Sequence, residues 1–189
     1  MRLFAAVLPD PAAVSELAVA VDRLRALPGA DGLRWTWRAG WHFTLAFMGE
    51  VDEGLLPALR ERLARAARHS EPFELRVRGG GKFGRRALWA GADGGVEELG
   101  RLAGRAEAAA RRAGVPMDRH RAYHPHLTVA RGRTDADLRP YVEELRSFAS
   151  TPWQVRDLSL VRSNLPAGGI AGEQPRYETV GSWSLGRSG

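Results

Sequence analysis

The chain has 189 residues, enough for one domain with a substantial core. It has no cysteine, which excludes disulfides, thiolate nucleophiles and zinc–thiolate centres. Its net charge of +6 points to anionic partners, nucleic acid above all; Lys82 is the one lysine, so the arginine preference reflects codon bias more than function.

No apolar run approaches the roughly 18 residues of a membrane span, so no membrane partner is expected. The apolar start, Met1 to Leu8, is stopped by Pro9-Asp10-Pro11 and is too short for a signal-peptide core. It reads as a first strand over 2–8, in a cytoplasmic protein. Asp10 and Pro11 then offer a helix cap and first turn. Val14, Leu17, Val21 and Leu24 recur at helical spacing, which predicts a helix over 11–27. A short strand follows over 33–37, a turn at Gly40 and a strand over 41–48. Asp52 opens a helix that runs to about 68, with Leu55, Leu56, Leu59 and Leu63 inward. Residues 73–78 alternate as a strand. The glycine run 79–84 lacks the Walker spacing and reads as a flexible hairpin loop, whose Lys82, Arg85 and Arg86 can touch a polyanion. A strand over 87–90 and a helix over 95–113 come next. An irregular stretch, 115–123, leads to a strand over 126–131. Asp135 or Asp137 starts a helix to Phe148. A strand over 154–163, a loop over 165–174 and a strand over 176–185 complete the chain.

This order describes an α+β fold with a weak internal duplication. We expect a single bilobal domain over 1–189, with both lobes formed from two motif-bearing halves. Each lobe is an antiparallel sheet with helices on the outside, and the two sheets face a central cleft.

The halves share a motif. His42-Phe43-Thr44-Leu45 and His126-Leu127-Thr128-Val129 both read His, apolar, Thr, apolar. In a strand, alternation puts each histidine and its threonine on one face, and the apolar residues on the other. One such match means little. Two, in corresponding places of two halves, point to paired imidazoles around one substrate atom. Phe47 reads as core by the same alternation. Period two puts Arg131 on the wrong face relative to His126, so it reaches the cleft only past the strand end or after a bulge. His124-x-His126 has the spacing of a chelate but lacks a third ligand, so His124 reads as a structural residue. His69 and His120 read as surface residues. Arg119 and Arg121 precede the second motif, where they either steer a nucleic acid or are simply solvated.

The stretch His42-Phe43-Thr44-Leu45-Ala46-Phe47-Met48-Gly49 resembles the first signature of the two-histidine (2H) phosphoesterases, in particular the LigT-like RNA 2′,3′-cyclic phosphodiesterases once named 2′-5′ RNA ligases. His124-Pro125-His126-Leu127-Thr128-Val129-Ala130-Arg131 resembles the second. Leu88-Trp89-Ala90-Gly91, Leu160-Val161-Arg162-Ser163 and Tyr177 are also similar to that family, so the resemblance spans nearly the whole chain. Met48 stands where the family more often has Leu, a volume-conserving change. The resemblance implies a pseudo-symmetric bilobal fold with both motifs in one cleft. It also implies a monomeric enzyme that hydrolyses RNA ends bearing a 2′,3′-cyclic phosphate.

Such hydrolysis needs a base for water, an acid for the leaving ribose oxygen, and donors for the phosphoryl charge. Two imidazoles suit the two proton transfers near neutral pH. No metal and no cofactor is required. The residues alone leave the order open; the resemblance assigns His42 as proton donor and His126 as proton acceptor, giving a 2′-phosphate end. It also assigns Thr44, Thr128 and Arg131 to the phosphate. Three alternatives share these residues: a 2′-5′ RNA ligase, a non-catalytic RNA-end-binding module, and a hydrolase of small cyclic nucleotides.

Overall fold

The computed structural model describes residues 1–118, 122–133, 135–168 and 173–187. The arginines and histidine considered at 119–121 lie outside the described residues.

Strand β1 (Arg2–Val7) sends Leu3, Ala5 and Val7 into the main core, while Phe4 and Ala6 form a small separate cluster with Val161. Asp10 caps helix α1 (Pro11–Arg25), its carboxylate accepting from the Ala13 N–H at 2.9 Å. After the two-residue β2 (Arg34–Trp35) comes β3 (Phe43–Glu50). Asp52 caps a 3₁₀ turn that feeds α2 (Leu56–Arg68). Strands β4 (Phe73–Phe83) and β5 (Ala87–Gly94) form a hairpin. Helix α3 (Val96–Arg112) is followed by Gly114 at φ +96°, a left-handed stop suited to glycine. Then come β6 (Leu127–Arg131), α4 (Arg139–Leu145), β7 (Trp153–Val155), β8 (Asp157–Asn164) and β9 (Arg176–Ser184).

These strands form two antiparallel sheets, ordered β3-β1-β8-β9 and β2-β6-β5-β4-β7. Helices α2 and α3 pack on the first sheet, and α1 and α4 on the second. Each sheet takes strands from both halves of the chain. The α+β class and the two antiparallel sheets agree with the sequence expectation.

Two expectations about elements are corrected. The stretch 154–163 is not one strand: β7 belongs to the second sheet and β8 to the first, with Arg156 between them. Buried positions change parity there, from Trp153 and Val155 to Leu158 and Leu160, so one alternation could not span both. The glycine run is not a hairpin loop either. β4 continues through it to Phe83, with a bulge between Val77 and Gly80. The glycines are there for space. A Cβ on Gly81 would lie 2.3 Å from the Trp89 indole, and one on Gly80 would lie 2.7 Å from Leu145. Overpacking of this kind costs about 1–3 kcal/mol, so Gly81→Ala is expected to melt several degrees low. Gly104→Ala, where nothing lies within 4 Å of the added Cβ inside α3, is expected to raise stability by about 0.5–1 kcal/mol. Thermal melts of the two variants check both signs.

Candidate active site

Both motif strands carry the same irregularity. In the β1–β3 ladder Ala6 pairs with Thr44 and Ala5 with Ala46, so Leu45 is the extra residue. In the β5–β6 ladder Trp89 pairs with Thr128 and Leu88 with Ala130, so Val129 is extra. An extra residue reverses the alternation beyond it. Burial follows the same sequence in both copies: Phe43 to Phe47 and Leu127 to Arg131 run buried, half-buried, buried, buried, exposed. The cleft face therefore receives positions His, His+2 and His+5.

The position His+5 is Arg131 in the second copy, and the bulge is what turns it toward the cleft. In the first copy it is Phe47. The reading of Phe47 as core is overturned: it is 50% exposed and lines the cavity, because the extra Leu45 moved it to the other face. The Arg2 guanidinium sits 4.9 Å from its ring centroid, a cation–π contact. Each half thus brings a cation to its fifth position, one directly and one across an aromatic ring.

His42, Thr44, His126, Thr128 and Arg131 all line one cavity of about 290 Å³. Each histidine lies just before its strand, and each is held alike. His42 Nδ1 is 2.8 Å from the Gly40 carbonyl, and His126 Nδ1 is 2.8 Å from the His124 carbonyl. A carbonyl oxygen only accepts, so both Nδ1 atoms carry a proton. In the neutral ring that leaves Nε2 unprotonated and able to take up a proton. His42 Nε2 is 2.9 Å from the Thr44 hydroxyl, so the spacing of two does place ring and hydroxyl together. The rings are walled by aromatics. His42 lies 4.6 Å from Phe4 and 5.3 Å from Tyr177 between centroids, and His126 lies 4.8 Å from Phe83.

Several lining or supporting residues were not singled out from the sequence. Arg34 lines the cavity and pairs directly opposite Arg131 across the β2–β6 ladder. Like charges opposed on a ladder repel, which an anion between them would relieve. Arg2, Arg34 and Arg131 line the cavity, and no carboxylate is among its described lining residues; Glu50, opposite Arg2 on the β1–β3 ladder, is ion-paired with the Met1 amino group. The Tyr123 hydroxyl donates to the Thr44 carbonyl at 2.9 Å, tying the approach to the second motif onto the first. The alternation of β1 could have found Arg2, which shares the cleft face with Phe4. Arg34 gave no signal, because a two-residue strand has no readable period. His124 contributes its carbonyl to His126, while its ring packs on Trp89 at 4.9 Å. Among the described residues no three His, Asp or Glu side chains converge as metal ligands, and no helix is long and apolar enough to cross a membrane.

Burial lowers the pKa of both histidines from 6.5, and Arg131 adds to the shift in each. The folded chain therefore holds these rings neutral where the unfolded chain protonates them. Such groups contribute stability above the unfolded value, and it is lost as pH falls through the folded value. Denaturant titrations at pH 7.5 and pH 5.5 are expected to show a larger loss on acidification for the parent than for a His42→Gln/His126→Gln variant. Equal losses would contradict this.

The geometry can be set beside known proteins. A family profile described as the 2′-5′ RNA ligase superfamily matches residues 10–166. A protein of Archaeoglobus fulgidus named RNA 2′,3′-cyclic phosphodiesterase is 32% identical over 90% of this chain and 96% of its own length. One of that name from Geobacillus stearothermophilus is 35% identical over 80% of this chain, which spans 47% of that relative, about half its length. A crystal structure from Thermus thermophilus covers 100% of both chains at 28% identity with a TM-score of 0.75. Escherichia coli LigT shares the fold, with a TM-score of 0.76 at 24% identity over 98% of each chain. A profile match over most of the length and relatives above 30% identity place the chain: it belongs to the 2′-5′ RNA ligase superfamily.

Proposed function

We propose that the protein hydrolyses 2′,3′-cyclic phosphate ends of RNA, with its own side chains supplying both proton transfers. The observation that carries this reading is the pair of imidazoles in one cavity, each fixed through Nδ1 to a backbone carbonyl and each paired in sequence with a hydroxyl. Relatives named RNA 2′,3′-cyclic phosphodiesterase support the substrate class. The phosphorus sits between the two Nε2 atoms. His126 Nε2 takes a proton from water as its oxygen bonds to phosphorus. The P–O3′ bond breaks, and His42 Nε2–H protonates O3′, leaving a 2′-phosphate. This order of acid and base rests on the family resemblance. Thr44 and Thr128 donate to the non-bridging oxygens, and Arg131 balances their charge.

Both rings are mostly neutral near pH 7 when the cavity is empty, and the acid must be protonated when substrate is bound. The phosphate anion itself favours that proton, since a negative charge nearby raises an imidazole pKa. The test is to incubate the protein in EDTA with an oligoribonucleotide ending in a 2′,3′-cyclic phosphate and to identify the product. A 2′-phosphate end is expected. A 3′-phosphate end would reverse the assignment of the leaving oxygen, an unopened ring would refute the metal-independent scheme, and 2′-5′-joined strands would make it a ligase.

A further inference from the structure

A groove of about 610 Å³ opens beside the catalytic cavity and shares Arg34, Thr36 and Gln174 with it. Its wall interleaves cations and aromatics: Arg25, Arg34, Trp35, Trp37, Arg38 and Arg133. Asp22 is the one carboxylate among the described residues of that wall. Trp37 is 50% exposed, an unusual state for the largest apolar side chain. Its position is nonetheless held. The Gln174 side-chain oxygen accepts from the Trp37 N–H at 3.0 Å, and the Gln174 amide donates to the Trp35 carbonyl. Between them the Thr36 N–H donates to the carbonyl of Val129 at 2.9 Å. Val129 is the bulge residue that turns Arg131 into the cavity. The same irregularity therefore aims a cation at the phosphate site and anchors the exposed tryptophan beside it.

A positive groove with an aromatic platform is the chemistry that holds single-stranded nucleic acid: cations follow the backbone and the ring stacks a base. A second large groove, between α2 and α3, lacks that combination. Arg62, Arg65, Arg101, Arg105 and Arg112 line it with His69, but it contains no tryptophan, tyrosine or phenylalanine and shares no residue with the catalytic cavity. Charge alone thus fails to single out one groove. A third groove shares Thr44, Phe47 and His126 with the cavity and offers Phe47 and Phe83, but among its described lining residues are Glu107 and Asp118 and no arginine or lysine. The combination of cations, a stacking ring and continuity belongs to the groove at Trp37.

We propose that the groove beside the cavity is the track for the RNA strand upstream of the cyclic phosphate. Trp37 stacks a base, Arg34 holds the phosphodiester at the junction, and Arg25, Arg38 and Arg133 hold those beyond it. This rests on the reading that the cavity takes RNA ends, and it makes the preferred substrate an oligonucleotide rather than a free cyclic nucleotide.

Two readouts test it on the full chain. The first is anisotropy of a labelled single-stranded eight-nucleotide RNA ending in a 2′-phosphate. The second is the ratio of kcat/KM for a cyclic-phosphate eight-mer to that for a 2′,3′-cyclic mononucleotide. Trp37→Ala is expected to weaken binding about tenfold and to lower the ratio to match, since one stacked base is worth that much. Trp37→Phe, which keeps a platform, restores most of both. Arg38→Ser is expected to reduce the slope of log affinity against log salt by about 0.7. Arg65→Ser, in the α2–α3 groove, loses the same charge and is expected to leave the ratio alone. Undiminished binding by Trp37→Ala, or an equal loss from Arg65→Ser, would overturn the track. If no cyclic substrate is turned over while Trp37→Ala still weakens RNA binding, the hydrolase reading falls and the track stands. If both substrates are hydrolysed and Trp37→Ala is silent, the reverse holds.

Discussion

Alanine at His42 or at His126 is expected to lower kcat on a cyclic-phosphate RNA end by about 10²–10⁴-fold, the range of a positioned general acid or base. With both rings acting on one phosphorus, as proposed, the double variant is expected to lose far less than the product of the single losses. KM should move little, because the phosphate keeps the hydroxyls and the arginines. His42 packs against Phe4 and Tyr177, so truncation also leaves a gap. His42→Gln fills that space without a titratable nitrogen and separates packing from chemistry. It is expected to melt near the parent and to be as inactive as the alanine variant. Near-parental turnover by His42→Gln would remove His42 from the mechanism.

The second large effect is expected at Arg131. Replacing it with glutamine removes the cation proposed to balance the phosphoryl charge, and loss of one such donor typically costs about 10²–10³-fold in kcat. The stability change should have the opposite sign. Arg131 faces Arg34 directly across the β2–β6 ladder, and deleting one of two opposed like charges relieves repulsion in the free protein. Arg131→Gln is therefore expected to melt at or above the parent temperature while turning over far more slowly. Arg131 also helps to depress both imidazole pKa values. The variant's residual activity should accordingly fall away at a higher pH on its acid side. Steady-state rates from pH 5 to 8 with parallel melts check all three effects. A variant that loses stability and activity together would show that Arg131 is structural.

The paired motifs were legible because a strand has a fixed period and each histidine has a threonine two positions on. That relation survives in the 2.9 Å contact between His42 and Thr44. The period fails three residues later. At Phe47 it gave the wrong face, and at Arg131 the arginine could be reached only by supposing a bulge. Bulges are backbone irregularities set by the neighbouring strand, and nothing local in Leu45 or Val129 announces them. The glycine run misled for a related reason. Glycine marks a turn or a close approach equally well, and here the approach is by Trp89 and Leu145, which lie elsewhere in sequence. The stretch 154–163 concealed a change of sheet because two short strands abut with only Arg156 between them. Helices fared better. Asp10 caps as expected, since capping is decided within a few residues, whereas Asp52 caps a 3₁₀ turn and the helix it was expected to open begins at Leu56. Arg34 and Gln174 belong to the site through contacts between segments far apart in the chain.

The proposed hydrolysis requires that two Nε2 atoms meet at one phosphorus. Imidazole nitrogen NMR, following all assigned histidine rings during titration with an oligoribonucleotide ending in a 2′-phosphate, tests it most directly. His42 and His126 should shift together, along one binding curve that saturates at one equivalent, with His69 still. Movement of only one of the two rings, or two curves with separate affinities, would rule out a shared phosphate site.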